Sequence, residues 1–154
     1  MECKKMTEYE AEQFGDMVNE MQMVFDSRSE NEGFARTAVA AFVSSLNPTV
    51  DELADIKTAV SEAVTNCIIH GYDLGPGKIF LEASLAGRML YVTVTDEGKG
   101  IPDIQKAMEP LFTTRPELER SGMGFSFMEA FMDTVEVESS PGKGTRVMMR
   151  KEIR

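Results

Sequence analysis

The stretch between residues 61 and 71 constrains the fold of this chain more strongly than any other. Glu62, Asn66 and His70 recur at four-residue intervals, so in a helix they form one polar line. Apolar residues occupy the arc beside that line: Leu53, Ile56, Val60, Ala63, Val64, Cys67 and Ile68. A helix with this pattern packs its apolar face on a sheet and ends at Gly71. The polar line then lies at the edge of the core, where a carboxylate and an amide need partners or a ligand.

The length and the charge of the chain narrow its class. At 154 residues it is about one domain long. Its 26 acidic and 16 basic residues give a formal charge of -10, and the sequence has no Lys/Arg-dense run, so we expect no direct DNA binding. No stretch approaches the ~18 apolar residues of a membrane span, and the first residues have no apolar leader pattern. We therefore expect a cytoplasmic protein without a membrane segment.

The two cysteines have no pattern that indicates chemistry. Cys3 and Cys67 cannot form a disulfide framework, and they lack the spacing of metal ligands. Because Cys67 lies within the apolar arc of the central helix, we predict that it packs in the core.

The periodicity of the remaining chain predicts one α/β domain from residue 19 to residue 154. Residues 1–18 are acidic and polar, and we predict an N-terminal extension that folds marginally or not at all. Alternating apolar residues predict the strands, and four-residue apolar spacing predicts the helices. The strands are expected at 19–26, at 78–86 and 89–95 as a hairpin, and in a terminal hairpin through Val135, Val137, Val147 and Met149. The helices are expected at 30–46, 50–70 and 122–132.

Glu62 and Asn66, one helical turn apart, are the first candidate site. A carboxylate and an amide at this spacing supply oxygen ligands suited to Mg2+, and the carboxylate can also take a proton from a nucleophile. The alternative is a solvated helix face, on which Glu and Asn are common. His70 near the helix end is interpreted as a cap for the last carbonyls.

The second candidate is an Asp-x-Gly-x-Gly motif at the end of a predicted strand. Asp96 can accept a hydrogen bond from an exocyclic amine such as that of adenine, and Gly98 and Gly100 let the backbone pass close to a planar ligand. The alternative is an ordinary glycine-rich turn. Residues 97–120 follow without a sustained period, and a loop of this length is usually functional, often a lid.

The third candidate is Gly122-Met123-Gly124, which opens a predicted helix. The free N–H groups and the positive dipole end of a helix N-terminus favour phosphate. The motif is not a Walker sequence, because no Gly-Lys-Ser/Thr follows, and it is not a Rossmann fingerprint, because a lid-like loop precedes it instead of a strand.

In this order the three motifs resemble the GHKL superfamily of ATP-binding domains, with an N box at Glu62 and Asn66, a G1 box from Asp96 to Gly100, and a G2 box at Gly122 and Gly124. Longer stretches resemble the anti-sigma-F factors of endospore-forming bacteria, which are serine kinases. These stretches are residues 61–66, Pro110-Leu111-Phe112-Thr113-Thr114, and residues 116–125. The resemblance covers about residues 19 to 152.

The resemblance implies a role for each matching residue. Glu62 would be the general base and Asn66 the Mg2+ ligand, while Asp96 would bind adenine in a pocket shaped by Gly98 and Gly100. The other expected nucleotide contacts are Thr113, Thr114 and Arg115 in the lid, with Arg115 on the γ-phosphate, then Gly122 and Gly124 at the phosphates, and Thr145 near adenine. Arg36 would contact the protein partner, although helical spacing alone favours a solvated charge there.

The fold that follows is a two-layer α/β (α+β) sandwich of the GHKL, or Bergerat, type. A mixed, mostly antiparallel sheet would be covered on one face by the three helices. The implied function is to bind and inhibit a sporulation sigma factor (sigma-F) and, with Mg-ATP, to phosphorylate a serine of an anti-anti-sigma factor; the family also implies a homodimer. The alternatives are a nucleotide-dependent binding switch without kinase activity, and a kinase of a related stress-response sigma system.

Overall fold

A five-stranded antiparallel sheet forms one layer of the protein. The computed structural model describes residues 18–109 and 124–154. The strands are β1 (Val18–Asp26), β2 (Lys78–Ala86), β3 (Met89–Asp96), β4 (Thr134–Ser139) and β5 (Thr145–Glu152). They lie in the order β1-β2-β3-β5-β4, and each neighbouring pair is antiparallel. The α+β fold is confirmed. The sequence predicted a mixed, mostly antiparallel sheet, and all the described strands pair antiparallel.

The described part of the chain has four helices, α1 (Glu30–Val43), α2 (Val50–Asn66), α3 (Ile104–Ala107) and α4 (Gly124–Phe131). Three of them, α1, α2 and α4, pack against this sheet. A 3-10 turn, Ser44–Leu46, extends α1, and a π turn, Cys67–Gly71, extends α2. The helix expected at 50–70 therefore changes its hydrogen bonding after Asn66. No helix in the described part of the chain is long and apolar enough to cross a membrane.

A capping box fixes the start of α2. The Thr49 side chain accepts the backbone N–H of Glu52 at 3.1 Å, and the Glu52 carboxylate accepts the backbone N–H of Thr49 at 2.9 Å. These reciprocal bonds satisfy two donors that the first turn of a helix leaves free. The second Glu52 oxygen accepts the N–H of Arg154 at 2.9 Å, which joins the start of α2 to the end of the chain. These hydrogen bonds lower the pKa of Glu52. The bond from the Thr49 N–H has the largest effect, and the bond from the Arg154 N–H has the next largest.

The core lies between the sheet and helices α1, α2 and α4. The helices contribute Val39, Val43, Ile56, Val60, Val64 and Met128, and the strands contribute Leu81, Leu90, Val92, Val94 and Met149. Fully burying one such aliphatic side chain contributes about 1.5–3 kcal/mol. Cys67 belongs to the same cluster, so its predicted core position is confirmed. The central helix is thus held by its apolar arc, which leaves its polar line at the rim of the core.

One difference from the sequence expectations concerns the stretch after β3. The stretch expected to be irregular from residue 97 contains α3, whose start is capped by the Asp103 carboxylate on the N–H of Lys106 at 3.1 Å. The extension expected at 1–18 lies outside the described residues apart from Val18, which begins β1. The domain boundary at residue 19 therefore stays a prediction.

Candidate functional site

A cavity of about 520 Å³ lies among α2, its π turn, the turn after β3, and the first residue of α4. This volume falls in the range of small-molecule and cofactor sites. Five of the predicted nucleotide-contact residues line it: Asn66, Asp96, Gly100, Gly124 and Thr145. His70, which sequence reasoning interpreted as a helix cap, lines it as well. The structure thus brings the three sequence motifs to one cavity.

Asp96 is the buried carboxyl group of the cavity. Its residue surface is 3% exposed, and its Oδ1 accepts the N–H of Gly98 at 2.8 Å. Cys67 and Thr145 line the same cavity. Burial raises the pKa of Asp96 above its usual range, while the hydrogen bond from Gly98 acts in the opposite direction. A desolvated acceptor aimed at a cavity is suited to a ligand that donates a hydrogen bond.

The π turn at the end of α2 brings the helix against Asp96. The N–H of Tyr72 reaches the carbonyl of Cys67 at 2.9 Å, which is the i to i+5 bond of such a turn. Gly71 then lies so close to Asp96 that a side-chain carbon on it would be 2.8 Å from the carboxylate. The carbonyl of Gly71 accepts the N–H of Lys99 at 2.9 Å. The end of the helix and the turn after β3 are therefore hydrogen-bonded into one unit.

Tyr72 also holds the helix end and the turn after β3 together, although it does not line the cavity. The sequence analysis did not identify this residue. Its hydroxyl accepts the N–H of Glu97 at 2.8 Å and donates to the carbonyl of Lys78. Its ring occupies the space that a side chain on Gly77 would need. Partial burial, the largest contribution, raises the pKa of Tyr72. One sequence feature could have indicated the contact between Tyr72 and Gly77: a tyrosine directly after the helix is followed by a glycine five residues later.

Two further glycines let the β4–β5 turn approach the cavity. Gly100 has φ +76°, and a side chain on it would meet the carbonyl of Ser140 at 2.0 Å. Gly144 has φ +82°, and a side chain on it would lie 2.1 Å from the carbonyl of Asp96. The glycines of the Asp-x-Gly-x-Gly motif are thus required by contacts between backbone segments. Their predicted contact with a planar ligand stays a prediction.

Glu62 and Asn66 meet the start of α4, where Asn66 and Gly124 line the cavity and Glu62 lies beside them outside its lining. A side-chain carbon on Gly124 would lie 3.1 Å from Asn66 Nδ2, 3.2 Å from Asn66 Oδ1 and 3.4 Å from Glu62 Oε2. The Glu62 and Asn66 side chains therefore both face the first described residue of α4. This cluster combines an amide, a carboxylate and a helix N-terminus. Such a cluster is suited to bind an anion together with its counter-cation.

The remaining predicted site residues are elsewhere. Arg36 lies on α1 and forms an ion pair with Glu32, Nη1 to Oε1 at 2.7 Å; it does not line the cavity. Four predicted nucleotide contacts lie outside the described residues: Thr113, Thr114, Arg115 and Gly122. Their roles stay predictions.

Gly98 gives the first testable prediction. A side-chain carbon on Gly98 would lie 2.0 Å from the Gly71 carbonyl oxygen, so Gly98→Ala must displace the turn from the helix end. We expect it to lower the free energy of unfolding by about 1–3 kcal/mol in urea titrations. Gly33→Ala is the control, because its new carbon has only the Arg36 side chain, at 4.0 Å, nearby; it should stabilise by about 0.5–1 kcal/mol. A Gly98→Ala protein as stable as the parent would contradict the described contact.

Comparison with known proteins places these features in a family. Residues 25–151 match the model of the histidine kinase-like ATPase domain. The anti-sigma F factor of Thermoanaerobacter sp. (strain X514) is 62% identical over 135 residues, which are 88% of this chain and 94% of that protein. The anti-sigma F factor of Bacillus licheniformis is 54% identical over 138 residues, 89% of this chain and 94% of that protein.

A solved structure shows the same fold. The crystal structure of the RsbU and RsbW domains of Rv1364c from Mycobacterium tuberculosis aligns with a TM-score of 0.62 at 20% identity. The alignment covers 88% of this chain and 32% of that one, so this chain spans about a third of the solved protein. The resemblance drawn from the sequence motifs is thereby confirmed. With an ATPase-type domain, a cavity that joins its three motifs, and relatives of this identity, the chain belongs to the anti-sigma F factor family.

Proposed function

We propose that this protein binds and inhibits a sporulation sigma factor and that, as an Mg-ATP-dependent serine kinase, it phosphorylates an anti-anti-sigma factor. The name of its relatives supports the first activity, and the ATPase-type domain supports nucleotide use. The observation that carries the proposal is the cavity itself, which is lined by Asp96 and by Asn66 and Gly124, with the Glu62 carboxylate beside Gly124.

The two ends of the cavity suit the two ends of ATP. The exocyclic amine of adenine would donate to the Asp96 carboxylate, whereas guanine has a carbonyl oxygen at that position and would be repelled. The phosphates would lie at the start of α4, because the first N–H groups of a helix lack partners within the helix and the helix dipole attracts negative charge there. Gly124 has no side chain to separate the phosphates from Glu62 and Asn66.

The residues present fit a magnesium ion that arrives with the nucleotide. No group of three or more His, Cys, Asp or Glu side chains among the described residues could hold a metal by itself. Mg2+ bound to a nucleotide needs only one or two protein ligands, because phosphates and water fill the other positions. Asn66 would supply its side-chain oxygen, and the ion would neutralise charge on the phosphates.

Glu62 is the proposed general base. Its carboxylate would take the proton of the substrate serine hydroxyl as that oxygen forms a bond to the γ-phosphorus. The bond from the γ-phosphorus to the bridging oxygen breaks, and ADP leaves. By the family resemblance, Thr113, Thr114 and Arg115 would belong to the lid, with the Arg115 guanidinium on the γ-phosphate, and Gly122 would cradle the phosphates together with Gly124.

The partners are proposed on the basis of the family. Arg36 would contact the sigma factor, the anti-anti-sigma factor would be the phosphorylated substrate, and the protein would act as a cytoplasmic homodimer. The relatives are named for sigma F, which favours sporulation over a stress-response system. A binding switch without kinase activity is distinguished from this proposal by the Glu62 experiment below.

Asp96→Asn should weaken ATP binding. The amide would turn a donor toward the N–H of Gly98 and offer a poorer acceptor to adenine. An unsatisfied polar group in a closed pocket costs about 1–3 kcal/mol, so affinity should fall by roughly 5- to 150-fold in calorimetry. Unchanged ATP affinity in a folded variant would remove Asp96 from the adenine site.

Glu62→Gln should separate catalysis from binding. The substitution preserves the size and helix propensity of the side chain but removes the base, so transfer of labelled phosphate to the partner should fall by ~100- to 10,000-fold. ATP affinity and sigma-factor binding should change little, because Asn66 and Gly124 remain. A variant that phosphorylates the partner at the parental rate would refute the base assignment. If the parent also leaves its partner unlabelled, the protein is a binding switch.

Arg36→Ala should impair sigma-factor binding and leave ATP affinity unchanged. At a binding hot spot the loss would be about 30-fold or more. Glu32→Gln is the matched control, because it breaks the same ion pair but keeps the guanidinium, and a partly exposed pair of this kind contributes only about 0.3–0.5 kcal/mol. Equal loss in both variants, or no loss in Arg36→Ala, measured with nucleotide present, would assign Arg36 to the solvated surface.

A further inference from the structure

We propose that Ser139 is a positioning residue for adenine recognition: its hydroxyl orients the hydroxyl of Thr145, which donates a hydrogen bond to a ring nitrogen beside the exocyclic amine. The inference rests on the proposed function, in which the cavity binds ATP with its adenine at Asp96. It goes beyond that function, because it assigns a role to a residue that does not itself line the cavity.

The register of the sheet places Ser139, Thr145 and Asp96 in one row. Asp96 at the end of β3 pairs with Thr145 of β5, and Thr145 pairs with Ser139 of β4. Directly paired residues point to the same face of a sheet and lie about 4.5–5.5 Å apart. Asp96 and Thr145 both line the cavity, and Ser139 is the next residue of the row. A purine whose amine contacts Asp96 is therefore within reach of the Thr145 hydroxyl.

The Ser139 hydroxyl is held by three contacts. Its oxygen accepts the N–H of Ile101 at 2.8 Å, and it lies 2.9 Å from the carbonyl oxygen of Gly144 and 2.8 Å from Thr145 Oγ1. Ile101 belongs to the turn after β3 and lines the cavity. Ser139 thus joins that turn to the start of β5, directly beside a residue that lines the cavity.

The donors and acceptors around Ser139 limit how the two hydroxyls can point. The Ile101 N–H can only donate and the Gly144 carbonyl can only accept, whereas each hydroxyl donates one proton and accepts others. When the Ser139 proton goes to Gly144, the proton between the two hydroxyls is that of Thr145. When the Ser139 proton turns to Thr145 Oγ1, the Thr145 proton is released for a ligand. The pair can therefore present a donor to the cavity by rotating two protons, without moving a heavier atom.

Adenine selects the arrangement in which Thr145 donates to the ligand. Its exocyclic amine is flanked by the ring nitrogens N1 and N7, and both are hydrogen-bond acceptors. A hydroxyl that receives a proton from Ser139 is also a stronger donor, because hydrogen bonds in a chain polarise one another. Asp96 as acceptor and Thr145 as donor then match the amine and the neighbouring nitrogen of adenine.

A structural role and a positioning role for Ser139 predict different losses of affinity. If Ser139 only ties the turn after β3 to β5, its removal weakens all nucleotides equally. If it orients Thr145, its removal weakens ATP more than an analogue in which C–H replaces the contacted nitrogen. The quantity to measure is the ratio of the dissociation constant of 1-deaza-ATP, or of 7-deaza-ATP, to that of ATP. The analogue with the raised ratio in the parent identifies the nitrogen.

The experiment measures these ratios by calorimetry in the full chain. The variants are Ser139→Ala, Ser139→Thr, which keeps the hydroxyl, Thr145→Val, which removes the proposed donor, and the double variant of Ser139→Ala with Thr145→Val. Ser140→Ala is the matched control, because Ser140 is exposed, does not line the cavity and bonds within the β4–β5 turn through its backbone carbonyl.

The proposal predicts a ratio of about 5 or more for one analogue in the parent, and a ratio about 3- to 10-fold lower in Ser139→Ala. Ser139→Thr and Ser140→Ala should keep the parental ratio within about 2-fold. In the Thr145→Val background, adding Ser139→Ala should not change the ratio further, because the hydroxyl that Ser139 orients is already absent.

A parental ratio in Ser139→Ala overturns the positioning role, and so does a further fall of the ratio in the double variant. The parental ratios need no variant that could fail to fold, and values near 1 for both analogues overturn the contact with a ring nitrogen. Asp96→Asn then shows whether the proposed function fails as well. If that variant weakens ATP binding, the adenine site stands and only the role of Ser139 fails; if it does not, the adenine site fails too.

Discussion

The contact between the end of the central helix and the carboxylate of Asp96 organises the cavity. A buried carboxylate loses its hydration, and the loss is tolerable only where donors replace water. Here the N–H of Gly98, in the turn after β3, donates to Asp96 at 2.8 Å, and Gly71 of the π turn lies against the same carboxylate. Asp96 therefore lies where the turn after β3 meets the end of the central helix. The glycines at 71, 98 and 144 are the positions where such close approach would otherwise be blocked by a side chain.

The central helix also links the two ends of the cavity. Glu62 and Asn66 face the start of α4, and Gly71 of the following π turn faces Asp96. The helix rises by about 1.5 Å per residue, so the residues that face α4 and the residue that faces Asp96 lie several ångströms apart on one rigid element. Its capping box and its apolar arc fix it in the core. The packing of this one helix therefore positions the groups that would contact both ends of a nucleotide.

Much of this arrangement could be predicted from local sequence. The β2–β3 hairpin was predicted because its apolar residues alternate, and the central helix because its apolar residues recur with helical spacing. The meeting of Asn66, Asp96 and Gly124 was predicted from motif order through the family resemblance. The π turn was not predicted, because its residues Cys67, Ile68 and Ile69 are all buried and have no periodicity that separates a π turn from an α-helix. Gly71 and Tyr72 bond to the N–H groups of Lys99 and Glu97, and no local pattern shows contacts between residues so far apart in the sequence.

The central claim is that one cavity binds adenine at Asp96 and the phosphates at the start of α4. The most direct test is a crystal structure with magnesium and a non-hydrolysable ATP analogue. The account predicts that the exocyclic amine lies within hydrogen-bonding distance of an Asp96 oxygen, and that the phosphates lie beside Gly124 with the ion on Asn66. A nucleotide bound in this cavity with its adenine away from Asp96, or bound at another surface, would contradict it.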